Sequence, residues 1–313
     1  MNILEILREE YPETSDNTLK LYASNLDVLK RRCKGDDEYK FLLNPKKVLE
    51  CVSTNHNTRK TVMTAILRLL RIMDVDKDIK DVYRDEQMKS IEVVNEFYRT
   101  GNKSKRQEDN WLSKSDLEAI LAQEEQRYED LKNRVKYELK PFDYLDAQNY
   151  ILLLFHLKHP IRNDLHDVKI MSVSEFKKLP QKTKNSGNYL AINKNEGFLI
   201  LNDYKTAGTY GQKKIEIDEE LIDPILDFIR WRAKKGYESN YFMINKYKNP
   251  MTANGITKSF LRLFRNYGKL ISTGLIRHII LTEMFGEKNE EKKKMADMMM
   301  NSTKTIDEKY IKN

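Results

Sequence analysis

His159-Pro-Ile-Arg-Asn-Asp-Leu-His-Asp-Val-Lys-Ile170 is the stretch at which the pattern of the chain changes. Just upstream, residues 143–156 space their apolar side chains as a helix does, around the run Tyr150-Ile-Leu-Leu-Leu-Phe155. Downstream, residues 167–170, 187–193, 197–201 and 213–217 read as short strands separated by Gly, Asn and Lys turns. Helical spacing then returns over residues 221–235, 252–264, 272–285 and 287–300. The expected fold is therefore mainly α with a small antiparallel β-sheet in the middle of the second half.

Working outward, Tyr98-Arg-Thr-Gly-Asn-Lys-Ser-Lys-Arg-Gln-Glu-Asp-Asn110 is polar and almost free of apolar residues. It reads as an exposed linker. That places a helical domain at residues 1–100, a linker at 101–110 and a second domain at 111–313. In the first, Ser15-Asp-Asn-Thr18 supplies N-cap residues for a helix carrying Leu19, Tyr22, Leu26 and Leu29 on one face. A second helix opens near Thr58 with Val62, Ile66, Leu69 and Leu70, and others are expected around 38–53 and 76–98. After the linker, Ser115 and Glu118 have capping-box spacing, and Pro160 is expected to start a new helical turn that puts Arg162 near a helix N-terminus.

Bulk composition narrows the function classes. The chain has 313 residues, 40% of them hydrophobic and 33% charged, with a net charge of +8. A basic excess of this kind points to a polyanionic partner. No stretch approaches the ~20 apolar residues that span a bilayer, and acidic residues stand where a secretory leader needs basic and apolar ones. The expected location is intracellular. Cys33 and Cys51 are the only cysteines and form no CxxC, which fits a reducing compartment. Neither GxGxxG nor GxxxxGK[ST] occurs, so no nucleotide-cradling loop is expected. His156 and His159 have helical spacing near Asp164 and Asp167. Metal ligation and ordinary surface histidines at a helix end are both compatible with that, and the second is the reading adopted.

Four residues remain, and their order matters. Arg162 follows the apolar helix and either pairs with Asp164 or Asp167 or faces an anion. Lys205, in Asp203-Tyr-Lys-Thr206, sits on an expected hairpin. Arg277, in Leu275-Ile-Arg-His278, lies among apolar residues and is either buried against a carboxylate or aimed at an anion. Tyr310 follows Asn301 by nine residues in Asn301-Ser-Thr-Lys-Thr-Ile-Asp-Glu-Lys-Tyr310.

Taken in that order, residues 111–313 resemble the catalytic domain of tyrosine recombinases and integrases, including their divergent viral and mobile-element members. Residues 1–100 resemble the family's helical core-binding domain. The resemblance implies a metal-independent enzyme, with no cofactor, that cleaves and rejoins double-stranded DNA through a 3′-phosphotyrosine. It assigns Arg162 and Arg277 to the phosphate, Lys205 to the leaving group, Asn301 to a phosphate oxygen and Tyr310 to nucleophilic attack. It also implies a homotetramer on DNA. Only Ile311, Lys312 and Asn313 follow the tyrosine, so either the exchange contact that joins family members is made elsewhere, for instance through residues 287–300, or assembly is weak. Two positions depart from the pattern: Gly274 and Asn301 stand where the family has histidine, or histidine and tryptophan. The alternatives carried forward are a type IB topoisomerase-like relaxing enzyme and a non-catalytic DNA-binding protein of the same fold.

Overall fold

The computed structural model describes all residues except Met1, 135–139, Pro141, 286–288, 303–304 and 311–313. Its contacts divide the chain into two compact units, Met1–Thr100 and Gly101–Asn313.

The first unit is helical: α1 (Ile3–Glu10), α2 (Asp16–Cys33), α3 (Pro45–Cys51), α4 (His56–Ile72) and α5 (Lys77–Thr100). Ser15 caps α2 by accepting from the Thr18 amide, as its sequence proposes. Helix α4 starts two residues earlier than expected because Asn55 takes the capping role. Leu19, Leu26, Leu29, Val62, Ile66, Leu69 and Leu70 share one buried core, closed by Tyr83, whose hydroxyl donates to the Leu42 carbonyl.

The second unit runs α6 (Lys105–Asn110), α7 (Lys114–Asn133), α8 (Asp143–Lys158), β1 (Val168–Met171), α9 (Val173–Lys178), α10 (Gln181–Lys184), β2 (Asn188–Ile192), β3 (Gly197–Leu201), α11 (Ala207–Tyr210), β4 (Lys213–Glu216), α12 (Glu219–Lys234), α13 (Ala253–Arg265), α14 (Thr273–Phe285) and α15 (Asn289–Met298). A single turn of π-helix, Ile306–Tyr310, closes the described chain. Within the stretch read as a linker, Ser104 and Gln107 form a capping box that starts α6. Asn110 is then buried, with its amide oxygen accepting from Leu270 N. That stretch therefore folds as part of the second unit, and only residues 101–104 lack regular structure. The capping box of α7 is Ser113 with Asp116, not Ser115 with Glu118. Asp116 accepts from the Ser113 amide, which fixes the helix start two residues earlier.

The expected antiparallel sheet is mixed. Its order is β1-β2-β3-β4, with β1 parallel to β2 and the other two pairings antiparallel. The helical crossover α9–α10 between β1 and β2 imposes the parallel pairing, which a tight hairpin cannot make. Alternate side chains face opposite sides of the sheet. Leu190, Ile192, Leu199, Leu201 and Ile215 join the main core, while Tyr189, Ala191 and Ile200 pack with Val173 on the other face. Helix α8 is the centre of that core, with Tyr144, Ile151, Leu153 and Phe155 fully buried. Its apolar residues run round the whole helix, the mark of an element surrounded by others. Among the described residues no helix is long and apolar enough to cross a membrane.

Candidate active site

Arg162 lies in the connection between α8 and β1. No helix begins at Pro160: residues 159–162 have no regular structure and 164–167 form a turn, so the expected helix N-terminus beside Arg162 is absent from the described residues. Fixing the loop falls instead to Ile161 and Leu165, both fully buried, and to Asn163, whose amide donates to Thr257 Oγ1 at 2.9 Å. Between these anchors Arg162 is half-buried, and its Nη2 donates to the Asn301 amide oxygen. Asp164 is 5% exposed, and its Oδ2 has no hydrogen-bond partner among the described residues. Burial raises its pKa above the usual carboxylate range, opposed by the charges of Arg162, His166 and Arg277.

Arg277 projects from α14, whose Leu275, Ile276, Ile279 and Ile280 are buried in the core as their spacing predicts. Its Nε donates to the Thr273 carbonyl at 3.2 Å. Its guanidinium lies 5.2 Å from the centre of the Tyr310 ring, a cation–π arrangement. Burial depresses the Arg277 pKa, and the Arg162 charge acts in the same direction. The Tyr310 hydroxyl and the Asp164 carboxyl oppose them. One terminal nitrogen on each arginine, Arg162 Nη1 and Arg277 Nη1, is buried without a hydrogen-bond partner among the described residues. Unpaired buried donors on two neighbouring cations are costly unless something anionic satisfies them.

Tyr310 ends the π-helical turn. The turn is anchored at its start by Ile306, fully buried with Leu281, Phe285, Met295, Ala296 and Met299. At its end the Tyr310 carbonyl accepts from His278 Nδ1 at 2.8 Å. Asn301 follows α15 through Met300, which adopts a left-handed φ of 55°. Its amide nitrogen donates to the Met299 carbonyl while its oxygen faces Arg162. Reversing that amide would place an NH₂ group against a guanidinium, so the network fixes its orientation. The side chain expected to donate to a phosphate oxygen is thus an acceptor on Arg162 in this state.

Lys205 lies in the β3–β4 connection, exposed, just ahead of α11. Among the described residues no hydrogen bond or ion pair joins its side chain to Arg162, Arg277, Asn301 or Tyr310. The same loop reaches them through Thr206, whose hydroxyl donates to the Met300 carbonyl at 3.5 Å, next to Asn301. At Gly274 an added Cβ would meet only Ser272 Oγ, at 3.6 Å, so the position has room for a side chain and supplies none.

Sequence reasoning missed two groups. The surface reading of the histidines is corrected: His156 is fully buried and His159 is 4% exposed. His156 Nδ1 donates to the Leu152 carbonyl at 2.8 Å, and the ring packs edge-on against Phe260. Burial brings its pKa down to about 4, and the Arg277 charge pushes the same way. His159 lies 3.7 Å from Asp218 and is likewise depressed by burial. No group of three or more potential ligands is placed to hold a metal among the described residues. The second is the burial of Asp164 close enough to Arg162 and Arg277 to feel both charges, which no period or motif marks.

No family model matches the chain, and no curated protein does. Among solved structures it is similar to the XerA recombinase, at 11% identity over 100% of this chain and 92% of that one, with a TM-score of 0.43. It is similar to the XerH site-specific recombinase bound to difH substrate in a pre-cleavage complex, at 11% identity over 97% and 90%, TM-score 0.47. It is also similar to the Tn1549 transposon integrase in complex with transposon right-end DNA, at 14% identity over 98% and 93%, TM-score 0.45.

Proposed function

We propose that this protein is a site-specific DNA recombinase or integrase of the tyrosine type, with Tyr310 as nucleophile. One observation carries the reading: two buried guanidinium nitrogens, Arg162 Nη1 and Arg277 Nη1, lack partners among the described residues, beside a tyrosine whose ring lies against Arg277. A phosphodiester supplies the missing acceptors, since its non-bridging oxygens accept from guanidinium donors and carry the compensating charge.

In this scheme the two arginines hold the scissile phosphate and neutralise the charge that grows on its oxygens. Tyr310 gives its phenolic proton to solvent and attacks phosphorus. The bond to the 5′-oxygen breaks as the phosphotyrosyl bond forms, and the exposed Lys205 swings in to protonate the leaving oxygen. The covalent link conserves the bond for rejoining. As the phosphate enters, Asn301 releases Arg162 and its amide donates to a phosphate oxygen. The residues in named roles require no metal or nucleotide. Unit Met1–Thr100 is assigned to clamping the duplex, and the working form to a homo-oligomer on DNA.

The test is capture of a nicked duplex whose short product diffuses away and traps the adduct. Wild type should become covalently linked to DNA, and Tyr310→Phe should bind DNA and remain unlinked. An adduct with the Phe variant would refute the nucleophile. No adduct with wild type, together with salt-dependent duplex binding, would instead support a non-catalytic DNA-binding protein, the reading favoured by the missing side-chain donor at Gly274. Relaxation of supercoiled plasmid without strand exchange would support the topoisomerase-like alternative.

A further inference from the structure

We propose that His278 is a positioning residue for Tyr310, holding its main-chain carbonyl so that the ring lies against Arg277; the proposal rests on Tyr310 being the nucleophile. His278 and Thr282 stand four residues apart on α14, on one face of the helix. Both reach the same oxygen. His278 Nδ1 donates to the Tyr310 carbonyl at 2.8 Å and Thr282 Oγ1 donates to it at 3.4 Å. A carbonyl has two lone pairs, so the two donors do not compete. The last carbonyls of a helical turn have no partner within it, which makes this oxygen the natural handle on the segment.

The imidazole also lies 5.1 Å from the Tyr310 ring, tilted by 39°. Consecutive residues of α14 therefore grip the same tyrosine at two places: Arg277 at the ring and His278 at the backbone. The start of the turn is pinned separately by buried Ile306. With both ends of a five-residue turn fixed to elements of the core, the phenol is presented from a defined backbone position. The hydrogen bond of the histidine is to the main chain, so replacing the phenol does not remove it.

Three substitutions in the full-length protein separate a positioning role from simple packing. In His278→Asn the amide nitrogen falls near the place of Nδ1; in His278→Gln it falls near Nε2; His278→Leu has no donor. Hydrogen exchange of the 306–310 amides in DNA-free protein is the first readout. Exchange should speed up by about tenfold in the Gln and Leu variants and stay near wild type in the Asn variant, as loss of one hydrogen bond predicts. Tyr310→Phe should leave it unchanged. The second readout is single-turnover capture of nicked duplex. It should slow by about 10²-fold in the Gln and Leu variants, at unchanged duplex affinity, and recover in Asn. Equal exchange in all three variants, or equal loss, overturns the proposal, as does altered exchange without altered capture. If wild type forms no adduct, the recombinase reading fails while the exchange comparison still decides whether His278 holds the turn.

Discussion

Arg162 and Asn301 lie 139 residues apart in the chain and meet side chain to side chain, Nη2 of the arginine donating to the amide oxygen of the asparagine. The contact joins the α8–β1 loop to the segment that leads into Tyr310. Asn301→Ala leaves a half-buried cationic donor without its acceptor, which costs about 1–3 kcal/mol of stability. Urea unfolding should show that loss. Asn301→Asp should keep the contact and stability but place negative charge where the phosphate must sit, weakening duplex binding.

Arg277 is expected to trade stability for function. Its buried charge is only partly satisfied, and an apolar side chain of similar length removes that burden. Arg277→Met should therefore unfold at no lower urea concentration than wild type while covalent capture falls by about 10²–10³-fold. A clear loss of stability would mean that the Tyr310 and Asp164 contacts outweigh the desolvation of the guanidinium.

Lys205 is tested by its leaving group. As a general acid it should contribute about 10²–10⁴-fold. Lys205→Ala should be slow on ordinary DNA and recover on a substrate with sulfur in place of the bridging 5′-oxygen, because a thiolate leaves without a proton. Arg277→Ala should gain no such recovery. A lysine that merely binds phosphate would leave both variants equally slow on both substrates.

His156 predicts an acid sensitivity. Its folded pKa is about 4 against an ordinary 6.5, so between those values the unfolded chain takes up a proton that the folded chain refuses. Stability from this group is complete above pH 6.5 and falls as the pH drops toward 4, by up to about 3 kcal/mol. Asp164 acts in the opposite direction, because its raised pKa favours the folded state as acid is added. Comparing wild type with His156→Leu isolates the histidine: the variant's unfolding free energy should fall less between pH 6.5 and 4.5. Parallel curves would show that His156 is protonated in the folded state.

Much of the architecture was legible because it depends on local rules. The short apolar run of residues 197–201 and the helical spacing of Leu275, Ile279 and Ile280 are local signals, and the strand and the helix form where those signals stand. Capping was legible to within a few residues at Ser15-Asp-Asn-Thr18, where Ser15 takes the role, and misread where two serines stood close together, as at 113 and 115. The parallel pairing of β1 with β2 was not legible, since it follows from the path of the α9–α10 crossover.

By itself, then, the sequence determined the helices, the strands and the order in which Arg162, Lys205, Arg277, Asn301 and Tyr310 occur. Tertiary structure alone decided which of these touch. It turned the Asn301 oxygen toward Arg162, set the Tyr310 ring against Arg277 and its carbonyl on His278, and buried His156 and Asp164 beside the arginines. The physical reason is that hydrophobic period is a property of neighbours in the chain. The burial and pairing of a charge are set by groups a hundred residues away, which no local pattern encodes.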